Sequence, residues 1–112
     1  MSIKLTILRN GDSVISDMQE LVESENQKRP HAYLLDNPHK VMISEKNFLT
    51  EEEVKNEKHS IDVLLQPWIV LSADKRMLLP VDCVMTIVEP ITSIKKMYID
   101  KMEKINKGNL DG

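Results

Sequence analysis

Few residues of this chain have the type and spacing that chemistry requires. His31, His39 and His59 lie in polar surroundings, and none stands at a zinc-ligand spacing from another or from the single cysteine. They read as solvent-exposed side chains, and no metal is expected. Cys83 stands beside Val84 in an apolar segment with no adjacent cation, so it reads as a small hydrophobe within a strand rather than a nucleophile. Glu51-Glu52-Glu53 lacks the alternating ligand spacing of a calcium loop and reads as a solvated charge run. With three glycines and neither a P-loop nor a dinucleotide fingerprint, the chain has little with which to cradle a phosphate. No catalytic residue and no cofactor are expected, and the chain does not read as an enzyme. Two turns each bring paired cations to the surface, Gln27-Lys28-Arg29 and Asp74-Lys75-Arg76. These pairs serve solubility, or, where a fold gathers both turns at one mouth, they contact phosphate. Trp68, the only tryptophan, is either a core or subunit-interface anchor or a platform on which a base stacks.

The elements that must position these residues come from a chain of 112 residues, the size of one domain. Hydrophobic residues make up 41% and aromatics only 4%, so the core is expected from Ile, Leu, Val and Met. Fifteen basic against eighteen acidic side chains leave a net charge of −3, which argues against a general polyanion binder. No apolar run approaches the roughly 20 residues of a membrane-spanning helix. One cysteine cannot form an intrachain disulfide, and the alternating N-terminus has no signal-peptide core, so a cytoplasmic protein is expected.

Ile3, Leu5 and Ile7 alternate with polar residues, and Asn10-Gly11 follows; this is a strand running into a tight turn. A second strand starts at Ser13, with Val14, Ser16 and Met18 on one face. Its pattern slips near Glu20, where a bulge is expected, and a short helix over 17–23 is the alternative. Ala32 to Leu35 and Val41 to Ile43 form a third strand interrupted by Asn37-Pro38, which must therefore be an edge, bulged or broken. Residues 45–60 read as a charged insertion, with Thr50 and Glu53 in capping-box spacing. Ile61 to Leu71 predicts a fourth strand kinked at Pro67, and Met77 to Val88 a fifth segment divided at Pro80-Val81-Asp82. Beyond Pro90 the period changes. Ile91, Ile94, Tyr98, Met102 and Ile105 form one stripe of an amphipathic helix over 91–112, with Gly108 as its stop. Asp100 with Lys104 and Glu103 with Lys107 are favourable pairs on it. Lys95 and Lys96 oppose the dipole of its first turn, so docking must stabilise it.

The segment from Leu5 through Asn10-Gly11 to Met18 resembles the first motif of Sm-like (LSm/Hfq) proteins, in slightly shifted form. Continuing the family spacing sets Leu21 at an apolar position and Asn26 where the family has its uridine-contacting asparagine. Ser16 stands for a glycine that helps the strand bend, and Val84 to Val88 resembles the closing strand. Pro80 to Val84 carries neither family version of the second motif. Tyr33 to Pro38, Pro67 to Leu71 and Thr86 to Pro90 are similar to segments of small proteins of T4-like cyanophages, a likeness that carries no activity with it.

The resemblance implies a mainly β fold: an Sm-like five-stranded, strongly bent antiparallel barrel over 1–90, followed by a C-terminal helix. It also implies a homo-oligomeric ring of roughly five to seven subunits, in which Ile61–Leu71 of one subunit pairs with Met85–Val88 of the next. The expected function is binding of single-stranded RNA, through Asn26, Lys28, Arg29, Lys75 and Arg76, as in a phage regulator acting in the host cytoplasm. The alternative is a ring of the same architecture that holds a protein partner and no nucleic acid. No membrane partner is expected.

Overall fold

The computed structural model describes residues 1–22, 29–45 and 61–111. Six strands, β1 (Ile3–Leu8), β2 (Ser13–Leu21), β3 (Ala32–Glu45), β4 (Ile61–Pro67), β5 (Arg76–Pro80) and β6 (Val84–Val88), precede one helix, α1 (Thr92–Asp111). The sheet is antiparallel in order β4-β3-β2-β1-β6, with β5 also paired to β3. Among the described residues it is open, not the closed five-stranded barrel expected: β6 at one end and β4 with β5 at the other have a free side.

The first hairpin follows from Gly11. Its φ of +95° is the left-handed conformation that closes short hairpin loops, and a Cβ there would meet nothing, so the demand is conformational rather than steric. The Asn10 side chain accepts from the Asp12 N–H at 2.9 Å and fixes the turn. β2 then runs as a strand to Leu21, which excludes the short helix over 17–23. Val14, Ile15 and Ser16 are buried in succession because β2 is covered on both faces.

The slip expected near Glu20 lies elsewhere. Ile15 pairs with His39 but Asp17 pairs with Asp36, so two residues of β3, Asn37 and Pro38, oppose Ser16 alone. This is a β-bulge, and Asn37 carries its positive φ of 50°. The extra residue inverts the side-chain alternation of β3. Tyr33 and Leu35, before it, pack with Leu8, Val14, Met18 and Leu79 on one face, where Trp68, Val84 and Ile87 join them. Val41, after it, packs on the opposite face with Ile3, Ile15 and Leu65 beneath α1. Ser16, fully buried at the bend, is small where space is shortest.

α1 docks through Ile94, Tyr98 and Met102 on that second cluster, as the stripe predicts. Ile91 is 69% exposed and contributes no burial. Gly108 does not stop the helix, which continues to Asp111. The fourth strand ends at Pro67, not Leu71: proline has no N–H for the ladder, and Leu71 is 99% exposed. The fifth segment is two strands, because Val81–Cys83 forms a 3-10 turn between β5 and β6. The capping box at Thr50 and Glu53, the Glu51–Glu53 run and His59 lie outside the described residues.

Candidate functional site

The expected phosphate contacts fall into two places. Asn26 and Lys28 lie outside the described residues. Arg29 is exposed, three residues before Ala32, which pairs with Pro80 at one end of the β3–β5 ladder. Arg76 pairs with Asp36 at the other end, and the Lys75 carbonyl accepts from the Asn37 N–H at 2.6 Å. Four residues at about 3.3 Å each separate the ends by about 13 Å. Arg29 thus enters the ladder from the end opposite to Lys75 and Arg76.

The two cations of the second turn also differ. Arg76 Nε donates to Asp36 Oδ1 at 2.6 Å and its Nη2 to Oδ2 at 3.4 Å. This paired geometry answers the guanidinium charge within the chain, and Asp36 raises the Arg76 pKa through the hydrogen bond and its charge. Lys75 is exposed and has no ion pair among the described residues. At the Ala32 end of the ladder β5 runs from Pro80 into the Val81–Cys83 turn, whose Cys83 carbonyl accepts from the Arg9 N–H at 3.0 Å. Cys83 is exposed there rather than packed in a strand; the 3-10 turn lifts it out of the sheet.

Trp68 is half-buried against the first core cluster, and its backbone N–H donates to the Pro38 carbonyl at 3.0 Å. It anchors the chain where β4 leaves β3. Beyond it the chain turns through Ile69, Val70 and Leu71, all exposed.

His39 is buried, at 3% exposure, not solvated as its polar neighbours suggested. Its ring faces Tyr98 edge-on, with centroids 5.9 Å apart and planes at 82°. His39 Nδ1 lies 2.8 Å from the Asn37 carbonyl, which can only accept, so Nδ1 carries the proton. Nε2 is buried with no partner among the described residues. Burial first, then the charge of Lys101, lowers the His39 pKa against the raising effect of the Asn37 hydrogen bond. The Tyr98 hydroxyl donates to the Asp36 and Asn37 carbonyls at 2.9 and 3.1 Å, and Lys101 Nζ donates to the Leu65 carbonyl. These groups fasten α1 to the bulge. They form a structural joint; of the three side chains, Lys101 also lines an open groove along α1 with Ser93, Lys96, Met97, Asp100, Lys104 and Ile105.

Of the edge strands, the sequence singled out Met85–Val88 and Ile61–Leu71 for pairing with a neighbour, but not β5. Leu78 on β5 is 60% exposed, and Met85 and Val88 on β6 are 66% and 43% exposed. Leu78 neighbours Leu79 on β5, and Met85 and Val88 neighbour Val84 and Ile87 on β6, all packed on the first core cluster; Met85 is the extra residue at a bulge opposite Ile7 and Leu8, and Val88 pairs with Leu5 on the second cluster's side. The alternation of β5 carries the signal for Leu78 once the inward residue is known.

Among the described residues no group of three or more His, Cys, Asp or Glu side chains could hold a metal ion. No described helix is long and apolar enough to cross a membrane. Compared with protein-family models and with curated proteins, the chain matches none.

Proposed function

We propose that this chain is an Sm-like subunit that assembles edge to edge into a closed ring of roughly five to seven copies and binds single-stranded RNA there. The observation that carries the reading is the pair of edges: among the described residues β5 and β6 each leave one side of the ladder unpaired and each carry exposed apolar side chains. An open apolar edge is an aggregation hazard, and cyclic pairing removes it without exposing another. The strand order supports the Sm-like reading as well. One long bent strand, β3, pairs with both β4 and β5, a 3-10 turn follows, and the last strand returns to β1. β4 and β5 together take the part of the fourth strand of that family.

In such a ring the RNA contacts include Arg29, repeated around the axis, and the expected Asn26 and Lys28, which lie outside the described residues. Asparagine can donate to and accept from a base edge, whereas cations address phosphate. Repetition of a weak site around a ring raises its avidity. A ring that holds a protein and no nucleic acid is the second reading. It is favoured by the Asp36–Arg76 pair, which occupies one expected phosphate contact, and by the net charge of −3.

Light scattering coupled to gel filtration tests the ring, and anisotropy titrations of uridine-rich and adenine-rich oligomers at low salt test the RNA. The expected result is a multimer of at least about five chains that prefers uridine. Arg29→Ala should flatten the log–log salt dependence by about 0.7 for each phosphate that the side chain neutralises. Asn26→Ala should reduce the preference while keeping the slope. A multimer that binds neither oligomer leaves the protein-holding ring, and a monomer defeats both readings.

A further inference from the structure

The loop joining β4 to β5 and the groove beside α1 carry apolar surface that the described residues leave exposed. Leu71 is 99% exposed and Val70 59%. The tip is nonetheless a formed turn: the Ser72 N–H donates to the Ile69 carbonyl at 3.2 Å and the Asp74 N–H to Ser72 Oγ at 3.0 Å. Ordering it on docking therefore costs little conformational entropy. On the other side of the fold, a groove of about 590 Å³ opens between the start of α1 and the ends of β3 and β4, lined by Ile43, Val63, Pro90, Ile91, Ile94 and Met97. Ile43 and Ile91 are 65% and 69% exposed there.

We infer that the loop tip Ile69–Leu71 of one copy seats in the Pro90–Met97 groove of the next. The inference rests on the edge-to-edge assembly proposed above. In antiparallel pairing the start of one strand lies beside the end of its partner. β5 starts at Arg76 and β6 ends at Val88, so the residues just before β5 lie beside those that just follow β6 in the neighbouring copy. The first group is the apolar tip with Lys75. The second is Glu89, Pro90 and Ile91, which line the groove.

Charge agrees with this placement. Lys75, exposed and without an ion pair among the described residues, comes opposite Glu89, which is 64% exposed and already paired with Lys4, so Lys75 would join that pair as a second cation. Asp74 comes toward Lys95 and Lys96, both exposed in the first turn of α1. The partner is thus a second copy of this chain, and the contact gives the Asp74-Lys75 turn a role in assembly. It also explains why an apolar tip stands on an otherwise charged surface.

Leu71→Asp tests the contact, because the side chain is fully solvated and the variant should melt with the native chain. Its multimer should dissociate at a concentration at least about tenfold higher than that of the unaltered protein. In a second measurement, Leu71→Cys and Ile91→Cys are combined in a Cys83→Ser background and treated with a short bismaleimide. A ladder of covalent multimers is expected, with none from either cysteine alone. If the unaltered chain is a multimer but Leu71→Asp dissociates as it does, or the ladder is missing, the loop-to-groove contact is wrong and the edge pairing stands. If the unaltered chain is a monomer, both fall.

Discussion

Replacing Tyr98 by phenylalanine separates the polar from the apolar half of the joint that holds α1. The ring is 1% exposed and packs with Ile3, Ile15 and Leu65; phenylalanine keeps that packing and the edge-on approach to His39. What disappears is one donor shared between the Asp36 and Asn37 carbonyls, at the bend where β3 changes face. Removing a buried hydrogen-bond partner costs about 1–3 kcal/mol. A value near 1.5 kcal/mol lowers the melting temperature of a domain this size by about 6 °C. Tyr98→Ala should cost about 3–5 kcal/mol, since a cavity is added to the missing hydrogen bond. Against a total stability of about 5–15 kcal/mol, that is enough to release the helix. Thermal melts followed by circular dichroism read both variants, and limited proteolysis beyond Pro90 distinguishes a freed helix from global unfolding. The hydroxyl has an alkaline signature as well. Burial pushes the Tyr98 pKa up to about 12 from about 10 in the unfolded chain. Its contribution is therefore complete below pH 10 and is lost as pH rises from 10 toward 12. The native chain should lose stability relative to Tyr98→Phe across that window. If Tyr98→Phe melts within about 1 °C of the native chain and shows no such difference, the hydroxyl does not fasten the helix and apolar burial alone does.

At acid pH the corresponding group is His39. Its folded pKa lies below the ordinary 6.5, so its contribution is complete above 6.5 and falls as pH drops through the folded value; melting between pH 7.5 and 5.5 should show this loss, and His39→Gln should flatten it. At the bulge, Asn37→Gly should be neutral because glycine accepts the positive φ, whereas Asn37→Val should cost about 1–2 kcal/mol, read from denaturant midpoints. Ile94→Asp sets a carboxylate against the apolar cluster under α1 and should cost at least about 1.5 kcal/mol in a thermal melt; truncation after Pro90 should cost more, and an unchanged melt would make the helix an appendage.

The strands were legible where one face is buried and the other is not. β1, the Asn10-Gly11 turn and the helical stripe at Ile94, Tyr98 and Met102 follow from periodicity and one glycine. Asn37-Pro38 announced an irregularity in β3, but not its consequence. An inserted residue reverses which alternate positions face which cluster, and that reversal depends on the partner strand. Tertiary pairing also ended β4 at Pro67: Ile69 and Leu71 continue the alternation in sequence but have no strand beside them. Cys83 looked like a strand residue because Val84 follows it, and only the 3-10 turn lifts it into solvent.

The candidate site was legible as residues but not as a place. Paired cations in two turns look equivalent in sequence, whereas Arg29 precedes one end of the β3–β5 ladder and Arg76 stands at the other, paired with Asp36. His39 had polar neighbours in sequence, yet the bulge turns it under Tyr98. Both outcomes trace to Asn37-Pro38. The bulge lets β3 serve two strands, frees the chain between Trp68 and Lys75 to project from the edge, and offers α1 the Asp36 and Asn37 carbonyls to dock on. An insertion of one residue thus sets both how the helix is held and which surface remains for a neighbour. Stability at the Tyr98 joint and assembly at the Leu71 loop should accordingly be separable by mutation: Tyr98→Phe should lower melting with little change in the multimer's mass, and Leu71→Asp should do the reverse.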